Sequence, residues 1–351
     1  MRVLALTHSL GTNGAALCLC RLLVAIKAAG GAADVLYSGN EPLAAYLQDR
    51  GVGVVDDANT ANYDVAVVNT LIDHQRVAQL APALPVVFWV HEGASSRDNG
   101  LAYASQWLQA FAISSRVVFN TPWQVDTVFK SFLGLVEPHR ISCVDPAATI
   151  SAAFREQRYH HANKRNVVSV GSVYPRKRPA DLVSATLYLS DASAHCTLVG
   201  NTDHLQANGD AMLQALDAHP HLFTLAGTVT DAHKLDLMRA ADVFCSASED
   251  ETFGIAPLEA ACLGLPVALS DLPCYAGIWK HGVNALLSPV GAVDVLAWNL
   301  KALMRDTGLA DRLARAGYAT AQRFTQERFL RGMSSVLVDA IEDRLPLFTV
   351  P

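Results

Sequence analysis

The chain has 351 residues, 51% hydrophobic and 17% charged, with a formal net charge of −6. Such a length favours two domains of roughly 150 residues over one core, and such a composition excludes a disordered chain. Residues 1–165 hold 13 Lys+Arg and 13 Asp+Glu, so the acidic excess lies in the second half; neither half has the basic footprint of a nucleic-acid binder or a cationic cluster able to dock on anionic lipid by charge alone.

Short β-branched runs alternate with longer amphipathic ones, the pattern of parallel βα units. The first predicted strand, Arg2–Leu6, is too brief for the apolar core of a signal peptide. It leads through the glycine-bearing loop His8–Ala16 into a helix over Gly14–Ala29. Strands are expected at Ala33–Tyr37, Asp64–Val68, Val86–Val90 and Arg116–Phe119. Thr121-Pro122-Trp123 reads as the start of another helix, with Thr121 as N-cap and proline at the first helical position.

Between Phe154 and Asn166 the text turns polar and loses its periodicity, which marks a linker. A second series follows: strand Val167–Val170, helix Pro179–Leu189, strand Cys196–Val199, helix Ala211–Ala218 and strand Leu222–Ala226. Helix Ala232–Ala241, strand Val243–Ser246, helix Gly254–Leu263 and strand Pro266–Leu269 continue it. Three helical segments end the chain, the last from Gln326 to about Arg344. The pattern predicts two doubly wound domains, which bind ligands beyond the carboxyl ends of their strands. The expected division is 1–160, 161–325 and a final helix 326–351. No stretch approaches the ~20 apolar residues of a membrane span. The seven cysteines have no Cys-x-x-Cys spacing and read as small buried hydrophobes in a reducing compartment, so the protein is expected to be cytoplasmic.

The most informative stretch is Ser248–Ala261, at the exit of a strand and the opening of a helix. Free N–H groups of that helix would face an anionic ligand. Glu251 before the helix and Glu259 inside it could then meet the same ligand from different heights, since carboxylates suit vicinal hydroxyls. The plainer reading is a carboxylate complementing the helix dipole and another on a solvated helix face. Gly171–Pro179 places Arg176, Lys177 and Arg178 in a strand-to-helix turn, where a diphosphate would find both charge and N–H donors. A solvated basic turn is the alternative. The loop after the first strand lacks the Gly-x-Gly-x-x-Gly spacing and an acidic residue for ribose, which argues against a nicotinamide cofactor. His91-Glu92-Gly93 ends an apolar strand, where an α/β enzyme keeps reacting groups; a structural histidine is the alternative. The remaining histidines, including His160-His161, read as surface.

The run Glu251–Val267 resembles the Glu–seven residues–Glu signature of the group-1 (family four) retaining glycosyltransferases. Gly227-Thr228-Val229 and Ala240–Phe244 before it, and Gly282–Pro289 after it, are similar to that family in the same order. The resemblance implies a GT-B architecture: two Rossmann-like domains facing each other across a cleft, with the last helix crossing back to the first. It implies that Glu251 holds hydroxyls of the donor sugar and Glu259 those of the ribose. Backbone at Phe253, Gly254 and Ile255 would approach sugar and phosphates, and backbone at Thr228 and Val229 the base. Lys177 would bind the diphosphate, Gly14 would approach the donor, and His91 would face the reacting sugar. Glu251, His91 and Lys177 form the expected catalytic set. Ser172 stands where the family usually has an arginine, so Arg176 or Arg178 would have to supply that charge; Ser172 and Arg176 complete the expected donor-binding set. Ala276-Gly277 likewise stands where an acidic residue is common.

The expected activity is retaining transfer from a nucleotide-diphosphate sugar to a glycan, glycolipid or small-molecule acceptor, in cell-envelope polysaccharide or glycoconjugate synthesis. Peripheral contact with the inner face of the membrane is compatible with it, and the oligomeric state is unknown. No Asp-x-Asp occurs, so transfer is expected to need neither metal nor cofactor. Attack on the leaving-group face is the expected route to retention, with Glu251 as a covalent nucleophile the alternative. Other readings are a nucleotide-sugar epimerase, a phosphorylase, or a non-catalytic binding subunit.

Overall fold

The computed structural model describes residues 1–148, 165–189 and 194–343. The chain divides into two compact units, Met1–Ala147 with Gln326–Pro351, and Ala148–Thr325. Most of the polar stretch 154–166, the expected boundary at 160/161, His160-His161 and the expected helix end at Arg344 lie outside the described residues.

The first unit carries seven parallel strands: β1 (Arg2–Leu6), β2 (Ala32–Leu36), β3 (Gly53–Val55), β4 (Val65–Asn69), β5 (Val86–Val90), β6 (Arg116–Phe119) and β7 (Ile141–Cys143). Their order is β3-β2-β1-β4-β5-β6-β7, so the winding reverses between β1 and β4. β4 and β5 are buried along their whole length, as a sheet covered on both faces requires. The helices are α1 (Gly14–Ala28), α2 (Pro42–Gln48), α3 (His74–Leu80), α4 (Ala94–Asn99) and α5 (Ala104–Ile113). Asn13 caps α1, its side-chain oxygen accepting from the Ala16 N–H at 3.0 Å.

The expected helix at Thr121 is a short π-helical turn at Gln124–Val128. The Gln124 side chain bends back to accept from the N–H groups of Asn120 (2.8 Å) and Thr121 (3.1 Å), and it donates to the carbonyls of Val90 and Glu92. These bonds tie the segment to the end of β5.

The second unit has six parallel strands: β8 (Arg165–Val170), β9 (Ala194–Val199), β10 (Phe223–Gly227), β11 (Val243–Ser246), β12 (Val267–Ser270) and β13 (Leu286–Ser288). Their order, β10-β9-β8-β11-β12-β13, reverses between β8 and β11. Around them lie α6 (Pro179–Tyr188), α7 (Asp210–Ala218), α8 (Asp231–Ala240), α9 (Ile255–Cys262), α10 (Val293–Arg305) and α11 (Thr307–Ala321). The final helix, α12 (Gln326–Glu342), belongs to the first unit. There Phe329, 1% exposed, stacks on Trp89 of β5 at 5.8 Å between ring centroids. Six of the seven cysteines are buried, and Cys143 at the end of β7 is exposed, against the expectation that all seven are buried. No helix of the described residues is long and apolar enough to cross a membrane.

Candidate functional site

In the second unit the reversal of winding sets two loops side by side, Gly171–Arg178 after β8 and Ala247–Gly254 after β11. Close backbone approach needs glycine here: a Cβ on Gly200 would lie 2.1 Å from the Gly171 carbonyl oxygen. The loops are stitched by the Glu249 N–H donating to the Arg176 carbonyl at 3.0 Å. Across this seam the Lys177 ammonium meets Glu251 Oε1 at 2.5 Å, and Ser248 Oγ donates to the same oxygen at 2.9 Å. Burial acts to raise the Glu251 carboxyl, but the Lys177 charge and hydrogen bond, with Arg176 and Ser248, outweigh it and hold it below the usual carboxylate range. The carboxylate is therefore ionised and fixed.

The other two cations of the run are committed to protein. Arg176 donates to the Tyr174 hydroxyl at 2.9 Å and to the Asp250 carbonyl, so its guanidinium clamps the two loops together rather than standing free for a diphosphate. Arg178, in the left-handed region at φ 48°, pairs with Asp181 at 2.6 Å and with Glu249 at 3.3 Å. Ser172 is exposed at a pocket that Gly171, Lys177, Ser246 and Ser248 also line.

Gly254, at φ 82°, turns the chain into α9, and a Cβ there would lie 2.8 Å from the Tyr275 ring. The Phe253 side chain faces the interior and meets Phe324 edge-on at 5.3 Å, which leaves its backbone and that of Ile255 at the start of α9. Glu259, on the second turn, is 3% exposed and pairs with Lys234 of α8 at 3.1 Å. The solvated-face reading of Glu259 is thereby corrected, because the side chain is buried. Lys234 was not singled out in the sequence: a lone lysine on a helix carries no signal until α8 is seen to lie against α9. Thr228 and Val229 follow Gly227 (φ 66°) between β10 and α8.

In the first unit His91 sits in a directional chain of hydrogen bonds. Trp89 Nε1–H donates to Asn120 Oδ1 at 3.2 Å, which turns the Asn120 amide N–H toward His91 Nδ1 at 3.3 Å. His91 Nε2 lies 2.9 Å from Asn69 Oδ1, and Asn69 Nδ2 donates to the Ala15 carbonyl at 3.5 Å. Each amide is oriented by its outer partner, so His91 carries its proton on Nε2. Burial pushes its pKa down to about 3. His91 is a neutral ring with both nitrogens in use. Beside it, the Glu92 carboxylate accepts from the N–H groups of Leu71 and His91, both at 2.9 Å, and burial pushes it up to about 6. Gly14 is the exposed first residue of α1.

His8, read as surface, is exposed, and it is also paired. Asp73 Oδ2 accepts from the His8 backbone N–H at 2.8 Å and lies 3.1 Å from His8 Nδ1, with Thr70 Oγ1 3.0 Å from the same nitrogen. Thr70 is buried at φ 90°, an outlier for a β-branched residue, and its N–H donates to the Trp89 carbonyl at 2.8 Å. The loop holding His8 is pinned by Glu41, whose carboxylate accepts from the Leu10 N–H at 2.6 Å and the Tyr37 hydroxyl at 2.5 Å. His8 and Asp73 are 65 residues apart, on loops that meet only because β1 and β4 are neighbours.

Residues 151–320 match the family model described as "Glycosyl transferases group 1". Phosphatidyl-myo-inositol mannosyltransferase of Mycobacterium tuberculosis is 35% identical over 132 residues, 36% of this chain and 34% of that protein. D-inositol 3-phosphate glycosyltransferase of Salinispora arenicola is 27% identical over 258 residues, 66% of this chain and 56% of that one. The chain thus spans from about a third to just over half of these relatives. Among solved structures, Anabaena Alr3699/HepE in complex with UDP and glucose superposes with a TM-score of 0.77 at 20% identity, over 96% of this chain and 99% of that one. Sucrose-phosphate synthase from Thermosynechococcus elongatus gives 0.77 at 16% identity, over 97% and 100%. The α/β fold expected from the sequence is the GT-B fold of these structures.

Proposed function

We propose, from the premise that residues 151–320 belong to the group 1 glycosyl transferases, that the protein transfers a sugar from a nucleotide-diphosphate sugar to an acceptor hydroxyl. The observation that carries the reading is the convergence of Lys177, Glu251 and the start of α9 where the loops after the neighbouring strands β8 and β11 meet. A diphosphate there would meet an ammonium and free helix N–H groups. Negative charge developing on it as the glycosidic bond breaks would be stabilised by groups already in place, usually a large part of catalysis. Glu251 would take donor-sugar hydroxyls, Glu259 the ribose hydroxyls, and backbone at Thr228 and Val229 the base. In the first unit, His91 would offer a neutral hydrogen-bonding surface and Gly14 an exposed backbone to whatever ligand that unit takes.

We further propose that transfer is retaining and metal-independent. The Lys177–Glu251 bond favours attack on the leaving-group face, because a carboxylate neutralised by an ammonium is a poor nucleophile. Charge stabilisation by Lys177 and the helix N-terminus would stand in for a divalent ion. UDP-glucose is the first donor to test, since a protein of the same fold is complexed with UDP and glucose. The acceptor classes of the two inositol-acting relatives, a polyol phosphate and its lipid, are the first acceptors, which would place the protein in envelope glycoconjugate synthesis at the cytoplasmic side of a membrane.

A thermal-shift screen of nucleoside diphosphates and nucleotide sugars, with and without EDTA, tests the reading. Near-saturating donor should stabilise the fold by about 3 kcal/mol at a hundredfold excess over Kd. A shift that survives EDTA and vanishes in Glu259→Ala locates the site. Acceptor-dependent release of nucleoside diphosphate separates transfer from epimerisation, and no shift with any donor sinks the reading. The commitment of Arg176 and Arg178 to protein partners favours one second reading, a binding subunit of weak donor affinity; donor binding without turnover would select it.

A further inference from the structure

Arg176 and Arg178 flank Lys177 in the same turn of the second unit, yet their charges are spent differently. Arg178 meets two carboxylates, Asp181 at 2.6 Å and Glu249 at 3.3 Å, so its charge is compensated within the protein. Arg176 donates to the Tyr174 hydroxyl at 2.9 Å and to the Asp250 carbonyl, and both of these acceptors are neutral. The bonds fix the guanidinium at the residue before Glu251, and a guanidinium stays charged throughout the pH range of a folded protein. Glu251 is a carboxylate that this charge reaches. It is 15% exposed, and Lys177 Nζ and Ser248 Oγ both donate to its Oε1. Burial favours its protonated form; the Lys177 charge, and after it the Arg176 charge, act against that. The other titratable groups around it bring no positive charge. Asp250 precedes it in its own loop, and Cys274 and Tyr275, from the segment after β12, are pushed up by burial and stay neutral.

The need for a second cation follows from where Lys177 stands. It lines a pocket with Gly171, Ser172, Ser246 and Ser248, its stem 3.6 Å from where a Cβ on Gly171 would lie. A diphosphate brought to that ammonium adds negative charge beside a carboxylate the same ammonium already serves. One lysine cannot compensate both anions. We infer that Arg176 is the standing counter-charge of Glu251: it holds the carboxylate ionised while the diphosphate draws on Lys177, so that Glu251 can still accept from a sugar hydroxyl. The inference rests on the donor site proposed above and concerns the second unit alone. Arg176 acts through Glu251 and is a positioning residue. A protonated Glu251 would offer an O–H in place of a lone pair and would weaken its bond to Lys177. Loss of the guanidinium should therefore make donor binding depend on pH.

The test titrates the full chain with UDP-glucose, whose diphosphate carries no group that titrates near neutrality, by calorimetry in buffers of different ionisation enthalpy. Arg176→Gln should take up more proton on binding than the wild type, rising toward one per ligand as pH is lowered from 7 to 5, and its affinity should rise with that uptake. Arg176→Lys, which keeps a charge there, should restore the wild-type proton balance. Adding Glu251→Gln to Arg176→Gln should abolish the extra uptake. Carbon-13 spectra of the wild-type glutamate carboxyls give a readout that needs no variant to fold: Glu251 should stay ionised at pH 5 with UDP-glucose bound. An Arg176 that only clamps the loops would lower affinity or Tm in Arg176→Gln and leave the proton balance where it was, and that result overturns the inference. So does a Glu251 protonated in the wild-type complex, or extra uptake that persists without Glu251. If the wild-type chain binds neither UDP-glucose nor any other nucleotide sugar, the donor reading has failed first and the inference falls with it.

Discussion

Lys177 Nζ lies 2.5 Å from Glu251 Oε1, although 74 residues separate them, and this bond joins the loop after β8 to the loop after β11. Neither partner is replaceable alone. Removing the ammonium leaves a carboxylate enclosed with only hydroxyl and guanidinium neighbours, and breaking such a pair typically costs about 3–5 kcal/mol. Lys177→Met is expected near the low end, because Lys177 is 23% exposed. Urea melts measure it, and the double variant with Glu251→Gln should recover part of the loss. A single-variant loss under about 1 kcal/mol would show the pair to be incidental.

The same pair sets a pH dependence. Glu251 is held below its ordinary value, so it stabilises the fold above the unfolded carboxyl pKa. That contribution disappears as pH falls through the lower folded value. Acid unfolding of the second unit should therefore move toward neutrality in Lys177→Met, read by far-ultraviolet circular dichroism between pH 2 and 6.

Much of this was legible in the sequence because it is local. The five-residue runs at β1 and β5 give their bounds directly, and the strand–loop–helix text at Ser248–Ala261 locates Glu251 and Glu259. Pairings between distant loops leave no local trace. Lys234 on Glu259, Asp73 on His8 and the clamp of Arg176 on Asp250 all depend on which strands become neighbours. The basic run after β8 shows the limit well. Three consecutive cations look equivalent in the text, yet protein carboxylates, a hydroxyl and a carbonyl claim Arg176 and Arg178, and only Lys177 reaches Glu251. The π-helical turn at Gln124 was lost for a similar reason, since the Gln124 side chain bonds back to β5 and not along a helix.

Lys234 and Glu259 predict a binding effect without a large catalytic one. The lysine fixes a carboxylate that is 3% exposed, the group proposed to take the ribose hydroxyls. Lys234→Met should weaken UDP binding by about tenfold, with Glu259→Ala weaker still, because a hydrogen bond to a charged group contributes about 1.5–3 kcal/mol. Titration calorimetry with UDP and with uracil gives the contrast: only the ligand carrying ribose should respond. Equal loss for both would place Glu259 elsewhere on the donor.

His91 predicts a silence. With its pKa pushed to about 3, its ring resonances should not move between pH 5 and 8, while those of His8 should. A histidine depressed in the fold favours the neutral form, so its contribution is full above the unfolded value near 6.5 and is lost as pH falls below it. The slope is at most about 1.4 kcal/mol per pH unit. His91→Gln should flatten that part of the stability curve. Movement of the His91 resonances near pH 6.5 would contradict the hydrogen-bond chain through Asn120 and Asn69.

The final helix gives a prediction about organisation. α12 follows the second unit in sequence but packs on the first, where Phe329 stacks on Trp89, the residue that also orients Asn120 and through it His91. Phe329→Ala removes a ring that is 1% exposed and should cost about 3–5 kcal/mol. The loss should fall on the first unit. A donor that protects the second unit should therefore leave the lowered transition in place, and calorimetry with and without UDP reads the two separately. The indole resonance of Trp89 should shift with the substitution, and His91 should begin to titrate as its oriented partner loosens. A single lowered transition that UDP fully rescues would instead mean that α12 supports the nucleotide side.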